Sequence, residues 1–254
     1  MATINEIGDI GKSVNLSVAT RALNVTPDLK RVERYDEYPA ELKKQKLKDL
    51  SLFLLFAAPA ATLVSKGFYW WSILPGLIAF WNLYWYIMHR NASPKTVYES
   101  GLLIPAIITD IKPLQIVAMA NMSTSDDDAD VCWGVQRFSI NELPLHNIKN
   151  GERVPCVAMF GGSAFAKVWS MFEVHPVCWA TADISVLQEA IIAINEDEDE
   201  WKILETLAQK AAERDDVDFS GEVAYFNKDL SPRIDLKEIS KKQRITTASV
   251  NNEP

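Results

Sequence analysis

Residues 50–89 read LSLFLLFAAPAATLVSKGFYWWSILPGLIAFWNLYWYIMH, forty positions whose only fully charged side chain is Lys66. Nine of the nineteen residues from Phe68 to Tyr86 are aromatic. A membrane span needs about 20 apolar residues, so this stretch has room for two. Lys66-Gly67 divides it into Leu50 to Val64 and Phe68 to Met88. The first piece covers roughly 22 Å at 1.5 Å per residue and must borrow from Leu47, Ser65 and snorkelling lysines. The second is a full span, with aromatic rings gathered at its two ends, where amphipathic rings favour the headgroup level. A buried hairpin in a soluble core rarely runs so long with one charge and so many Trp. The apolar run is internal and follows some forty polar residues, which excludes a signal peptide.

Working outward, Lys43, Lys44, Lys46 and Lys48 precede the run, and Arg90 and Lys95 follow it. The positive-inside rule then puts both ends in the cytoplasm, with only the Lys66-Gly67 turn outside. The expected localisation is the plasma membrane, two-pass, with both termini cytoplasmic. Pro59 and Pro75 fall in mid-span, where each can kink its helix. Ala57, Ala58, Ala60, Ala61, Gly76 and Ala79 permit close helix approach.

Charge is unevenly divided. Residues 1–49 sum to +1, residues 50–90 to +2 and residues 91–254 to −11, within a total of −8 over 254 residues. An acidic portion of that size argues against binding nucleic acid. Cys132, Cys156 and Cys178 are odd in number and lack CxxC spacing, which fits a reducing compartment.

Upstream, Ile4, Ile7, Ile10, Val14 and Val18 recur at helical spacing, so residues 1–46 read as a cytoplasmic arm with one amphipathic helix. Residues 47–90 are the hairpin. Residues 91–230 read as a cytoplasmic domain, and residues 231–254 as a disordered tail. The strands expected in the domain are Leu102 to Ile111, Leu114 to Met122, Val131 to Ile140, Arg153 to Phe160, Ala166 to Val174, Val177 to Ala180 and a short Val223 to Phe226. Two helices carry the stripes Ile184, Leu187, Ile191, Ile194 and Trp201, Leu204, Ala208, Ala211. The fold class is therefore a membrane-anchored α+β protein: a two-helix transmembrane hairpin plus a small antiparallel, barrel-like domain with two C-terminal helices.

No pattern amounts to a catalytic, cofactor-binding or metal signature. Asp126, Asp128 and Asp130 fit the start of a calcium loop, but Val131 and Arg137 stand where Gly and Glu are needed. Gly161-Gly162-Ser163-Ala164-Phe165 lacks the last glycine of a nucleophile elbow. His146, Cys156, His175 and Cys178 are soft ligands without metal-site spacing and read as core cysteines and loop histidines. Membrane interface and partner docking fall to Trp70, Trp71, Trp81, Tyr84 and Trp85. Trp133 and Trp169 are core aromatics by type, and candidate cytoplasmic docking residues if exposed.

The run Gly151-Glu152-Arg153-Val154-Pro155-Cys156-Val157-Ala158, then Trp169, then His175-Pro176-Val177-Cys178-Trp179-Ala180-Thr181-Ala182-Asp183 and a helix to Trp201, resembles an actinobacterial, corynebacterial family of membrane proteins with a domain of unknown function. It covers about residues 100–210 and brings no catalytic residues. Size and layout also resemble an accessory subunit of the cytochrome bcc-aa3 respiratory supercomplex. That resemblance implies a non-catalytic scaffold acting in assembly, stabilisation or regulation, with an integral membrane complex as partner and no electron-carrying cofactor. A membrane-anchored enzyme, or a regulator binding a small ligand in the barrel, is the alternative.

Overall fold

A computed structural model describes residues 3–5, 22–124, 131–162, 168–194, 200–213 and 222–233. The chain forms two compact units, Leu29–Thr96 and a second made of Met1–Asp28 with Val97–Pro254.

The first unit is helical. A short α1 (Leu29–Tyr35) packs on α2 (Tyr38–Ser65), which packs along α3 (Tyr69–Asn91). Asp36 Oδ1 accepts from the Tyr38 amide at 2.9 Å, and Pro39 occupies a first-turn position where its missing N–H costs nothing. The end of α2 is a Schellman turn: the Phe68 amide donates to Leu63 O and the Gly67 amide to Val64 O. This turn places Gly67 at φ +80°, a left-handed conformation that glycine adopts without a side-chain penalty. The chain therefore reverses at Lys66-Gly67, as expected. Pro59 and Pro75 lie inside their helices.

A short α4 (Pro94–Ser100) follows α3 in the chain, and the second unit is an antiparallel sheet with helices. Its main strands are β3 (Leu102–Ile111), β4 (Leu114–Asn121), β5 (Cys132–Ser139), β6 (Arg153–Gly161), β7 (Met171–Pro176) and β8 (Ala224–Asn227), in spatial order β7-β6-β3-β4-β5-β8. Short β1 (Thr3–Asn5) and β2 (Ala22–Asn24) pair with each other, and β2 joins the start of β3 through Ala22 and Leu102. A bridge between Ser123 and Val168 links the far end of β4 to the approach to β7, curling the sheet into a half-barrel. The apolar run from Leu102 to Ile108 is buried throughout, as a central strand covered on both faces requires. Helix α7 (Glu200–Ala212) packs on β3, β4 and β5, burying Trp201, Leu204, Leu207, Ala208 and Ala211. Helix α6 (Ile184–Ala193) packs on β6, with the Asp183 carboxylate accepting from the Ser185 amide at its start.

Four expectations need correction. Val177–Ala180 is a helical turn, α5, rather than a strand: Pro176 has no N–H for the ladder, and a turn buries all four apolar side chains where a strand would turn alternate ones outward. The start of the expected amphipathic helix, Thr3–Asn5, is a strand, while the rest of that stripe lies outside the described residues. On α6 the buried stripe is Val186, Leu187, Ala190 and Ala193, followed by Ile194, with Ile184 exposed. Residues 231–233 fold back on β8, the Arg233 amide donating to Tyr225 O; the remainder of the expected tail lies outside the described residues.

Candidate membrane-docking site

Helix α2 is long and apolar enough to cross a membrane, and only 6% of its most apolar stretch is buried. A core helix of a soluble protein would be mostly covered, so this apolar surface is unpaid for in water. Helix α3 adds more, with Trp70 at 85% and Trp71 at 75% exposure near its start.

Toward the other end of α3, Trp81, Tyr84 and Trp85 form an exposed cluster. Trp81 meets Tyr84 at 6.2 Å and Trp85 at 5.9 Å between ring centroids, and Tyr84 meets Trp85 edge-on at 5.7 Å. Residues three and four apart share a helix face, so the rings make one continuous ridge. Trp85 then stacks on His89 at 5.7 Å. His89 Nδ1 lies 2.7 Å from Asp49 Oδ2, and Gln45 Nε2 donates to Asp49 Oδ1 at 3.1 Å. The Asp49 carboxylate is thus buried yet fully engaged. Asp49 lies immediately before the apolar run and His89 is that run's last residue. The signal was available: a hairpin reversing at Lys66-Gly67 brings the two ends of that run, with their polar residues Asp49 and His89, together.

The sheet unit places its candidates differently. Trp133 and Trp169 are buried, at 6% and 8% exposure, so they serve the core and present no exposed indole to a partner. Trp169 packs against Phe160 at 6.4 Å. Cys132, Cys156 and Cys178 are free and buried. Burial pushes the Cys156 thiol well above its usual range, with nearby Cys178 adding to the effect, which is the opposite of an activated nucleophile. His175 is buried and meets Tyr98 edge-on at 6.0 Å. His146 Nδ1 stands 3.9 Å from Glu152 Oε1, and burial holds this imidazole below its usual value against the opposing pull of Glu152. Among the described residues no cluster of three or more His, Cys, Asp or Glu could hold a metal ion. Asp126, Asp128 and Asp130, and Ser163 to Phe165, lie outside the described residues.

Residues 89–212 match the family described as a protein of unknown function (DUF3239). The match takes in the span, about 100–210, over which the sequence resembles a family of that kind. A crystal structure of a candidate membrane protein from Corynebacterium diphtheriae is similar, at 26% identity and a TM-score of 0.39, covering 46% of this chain and 95% of that one. No curated protein matches the chain.

Proposed function

We propose that this protein is a non-catalytic, membrane-anchored accessory or scaffold subunit, held by α2 and α3 as a two-pass hairpin with both flanking segments in the cytoplasm. The observation that carries the anchoring is the exposed apolar surface of α2, of a size that soluble monomers rarely leave uncovered.

Two further points support the two-pass reading. Segments on either side of the hairpin belong to one folded unit: Ala22 pairs with Leu102, and the Asp28 amide donates to Ala180 O at 2.8 Å. One folded unit lies on one side of a bilayer, so the chain between must cross an even number of times. Helix α3, with 23 residues, reaches about 34 Å at 1.5 Å per residue, enough for the return. The lysines before α2's apolar part and Arg90 after α3 favour the cytoplasmic side for that unit.

On this reading the partner is an integral membrane complex, the cytochrome bcc-aa3 respiratory supercomplex whose accessory subunits the size and layout of the chain resemble. The ridge of Trp81, Tyr84 and Trp85 supplies the aromatic anchors such docking uses. Extraction in mild detergent, followed by identification of stoichiometric partners, tests this reading. Co-purification with a defined membrane complex is expected. Recovery as an isolated monomer overturns the accessory role, and release by alkaline carbonate overturns the anchor itself.

A further inference from the structure

The helical unit is as basic as the rest of the chain is acidic. Residues 29–96 hold ten Lys or Arg against five Asp or Glu, whereas the remainder holds sixteen against twenty-nine. Within the helical unit the cations concentrate at one end. Lys44 and Lys48 are exposed one helical turn apart on α2, and Arg90 is exposed at the end of α3. The contact between Asp49 and His89 sets the level: Lys48 and Arg90 are their immediate neighbours in sequence, and Lys44 lies one turn further from the apolar run. Among the described residues no carboxylate pairs with any of these three cations, whereas neighbouring Lys43 is engaged by Glu33 at 3.0 Å. One turn inward from His89 stands Trp85, and one turn beyond it Trp81.

Cations without partners among the described residues, set outside the ridge of Trp and Tyr on α3, are arranged for a phosphodiester above and acyl chains below. From this geometry, and resting on the membrane-anchor reading above, we propose that Lys44, Lys48 and Arg90 form a binding collar for anionic phospholipid headgroups, with Trp81, Tyr84 and Trp85 against the first acyl carbons. The occupant is a lipid rather than free phosphate because the aromatic ridge continues the site into the apolar layer, where an inorganic ion makes no contact. The same collar would let a chain of net charge −8 sit on an anionic leaflet. Its acidic part is repelled by that surface while the collar is drawn to it.

The test uses the full chain, purified in detergent and exposed to mixed micelles of equal phosphatidylglycerol and phosphatidylcholine, with bound lipid identified by native mass spectrometry. The wild type should retain phosphatidylglycerol preferentially, and Lys44→Gln, Lys48→Gln and Arg90→Gln should each lower the preference by roughly fivefold, at about 1 kcal/mol per cation. Lys44→Arg with Lys48→Arg, which keeps the charge, should keep the preference. High salt should erode it, while inorganic phosphate at equal ionic strength should compete no better than chloride. Equal retention of the two lipids by the wild type, or the same preference in the triple Gln variant, overturns the collar. Carbonate resistance measured on the same samples separates this failure from failure of the anchor, since a protein that stays in the membrane without lipid preference refutes only the collar.

Discussion

Asp49 and His89, forty positions apart, close the open end of the α2–α3 pair, with His89 Nδ1 2.7 Å from a carboxylate oxygen that is nearly sealed from solvent. Asp49→Ala removes the imidazole's acceptor and leaves Gln45 without its bond. The expected loss is about 2 kcal/mol, less than for a fully buried pair because His89 is 27% exposed. Asp49→Asn keeps an acceptor and should lose less. Unfolding midpoints in detergent measure both, and an unchanged midpoint for Asp49→Ala would show that the contact carries no weight.

Topology is open to direct labelling. A single cysteine at Lys66 should react with a membrane-impermeant thiol reagent in intact cells, and one at Lys95 should react only after lysis. The native thiols are buried and give little background. Labelling at Lys95 alone would invert the orientation.

The aromatic ridge makes a separate demand. Trp81→Ala with Trp85→Ala removes two exposed rings that meet edge-to-face, without touching the core of the sheet unit. Membrane insertion should persist while co-isolation with the partner falls by tenfold or more, as when an interface loses hot-spot aromatics. Full association of the double variant, with release on deletion of residues 1–40, would transfer docking to the N-terminal arm.

Acid should weaken the sheet unit through His146. The folded state holds this imidazole below its usual value of 6.5 by burial, so the unfolded chain binds the proton more readily. Its contribution to stability is therefore present above 6.5 and is lost as pH falls toward the folded value. The stability profile of His146→Gln should be flatter than wild type between roughly pH 7 and 5. Superimposable profiles, measured by denaturant titration, would refute the assignment.

Trp201 is fully buried, donates Nε1–H to Ile191 O at 3.2 Å and lies under the Arg153 guanidinium at 5.2 Å. Trp201→Ala should cost about 3–5 kcal/mol through the cavity it opens beneath α7, and Trp201→Phe should cost less. A loss under 1 kcal/mol, by chemical denaturation, would mean that α7 contributes little to the core.

What the sequence made legible follows from period and length. The helices either side of the apolar break, the turn at Lys66-Gly67 and β3 to β6 were readable, because long apolar runs and Gly or Pro breaks report local geometry directly. Val177 to Ala180 was not, since four apolar residues carry no period and only packing decides between strand and turn. The pairing of β2 with β3 and the contact of Asp49 with His89 escaped for another reason: each joins residues far apart in sequence, and no local pattern specifies which distant segment will arrive. Trp133 and Trp169 had a burial that composition favours but cannot fix.

The seam between Ala22 and Leu102 also dictates an order of manufacture. The first strands leave the ribosome eighty residues before the strand they border, and the whole helical hairpin is made in between. At 5–20 residues per second they wait about 4–16 s. During that interval their ladder groups are open to other partners, and on the two-pass topology proposed above the event that ends the wait is delivery of β3 to the same side of the membrane. A nascent chain whose hairpin stalls after one crossing would carry Leu102 to the opposite side and could not complete its sheet. On that topology correct insertion is a precondition of folding, and a misrouted chain would present itself to quality control with an unfinished strand edge.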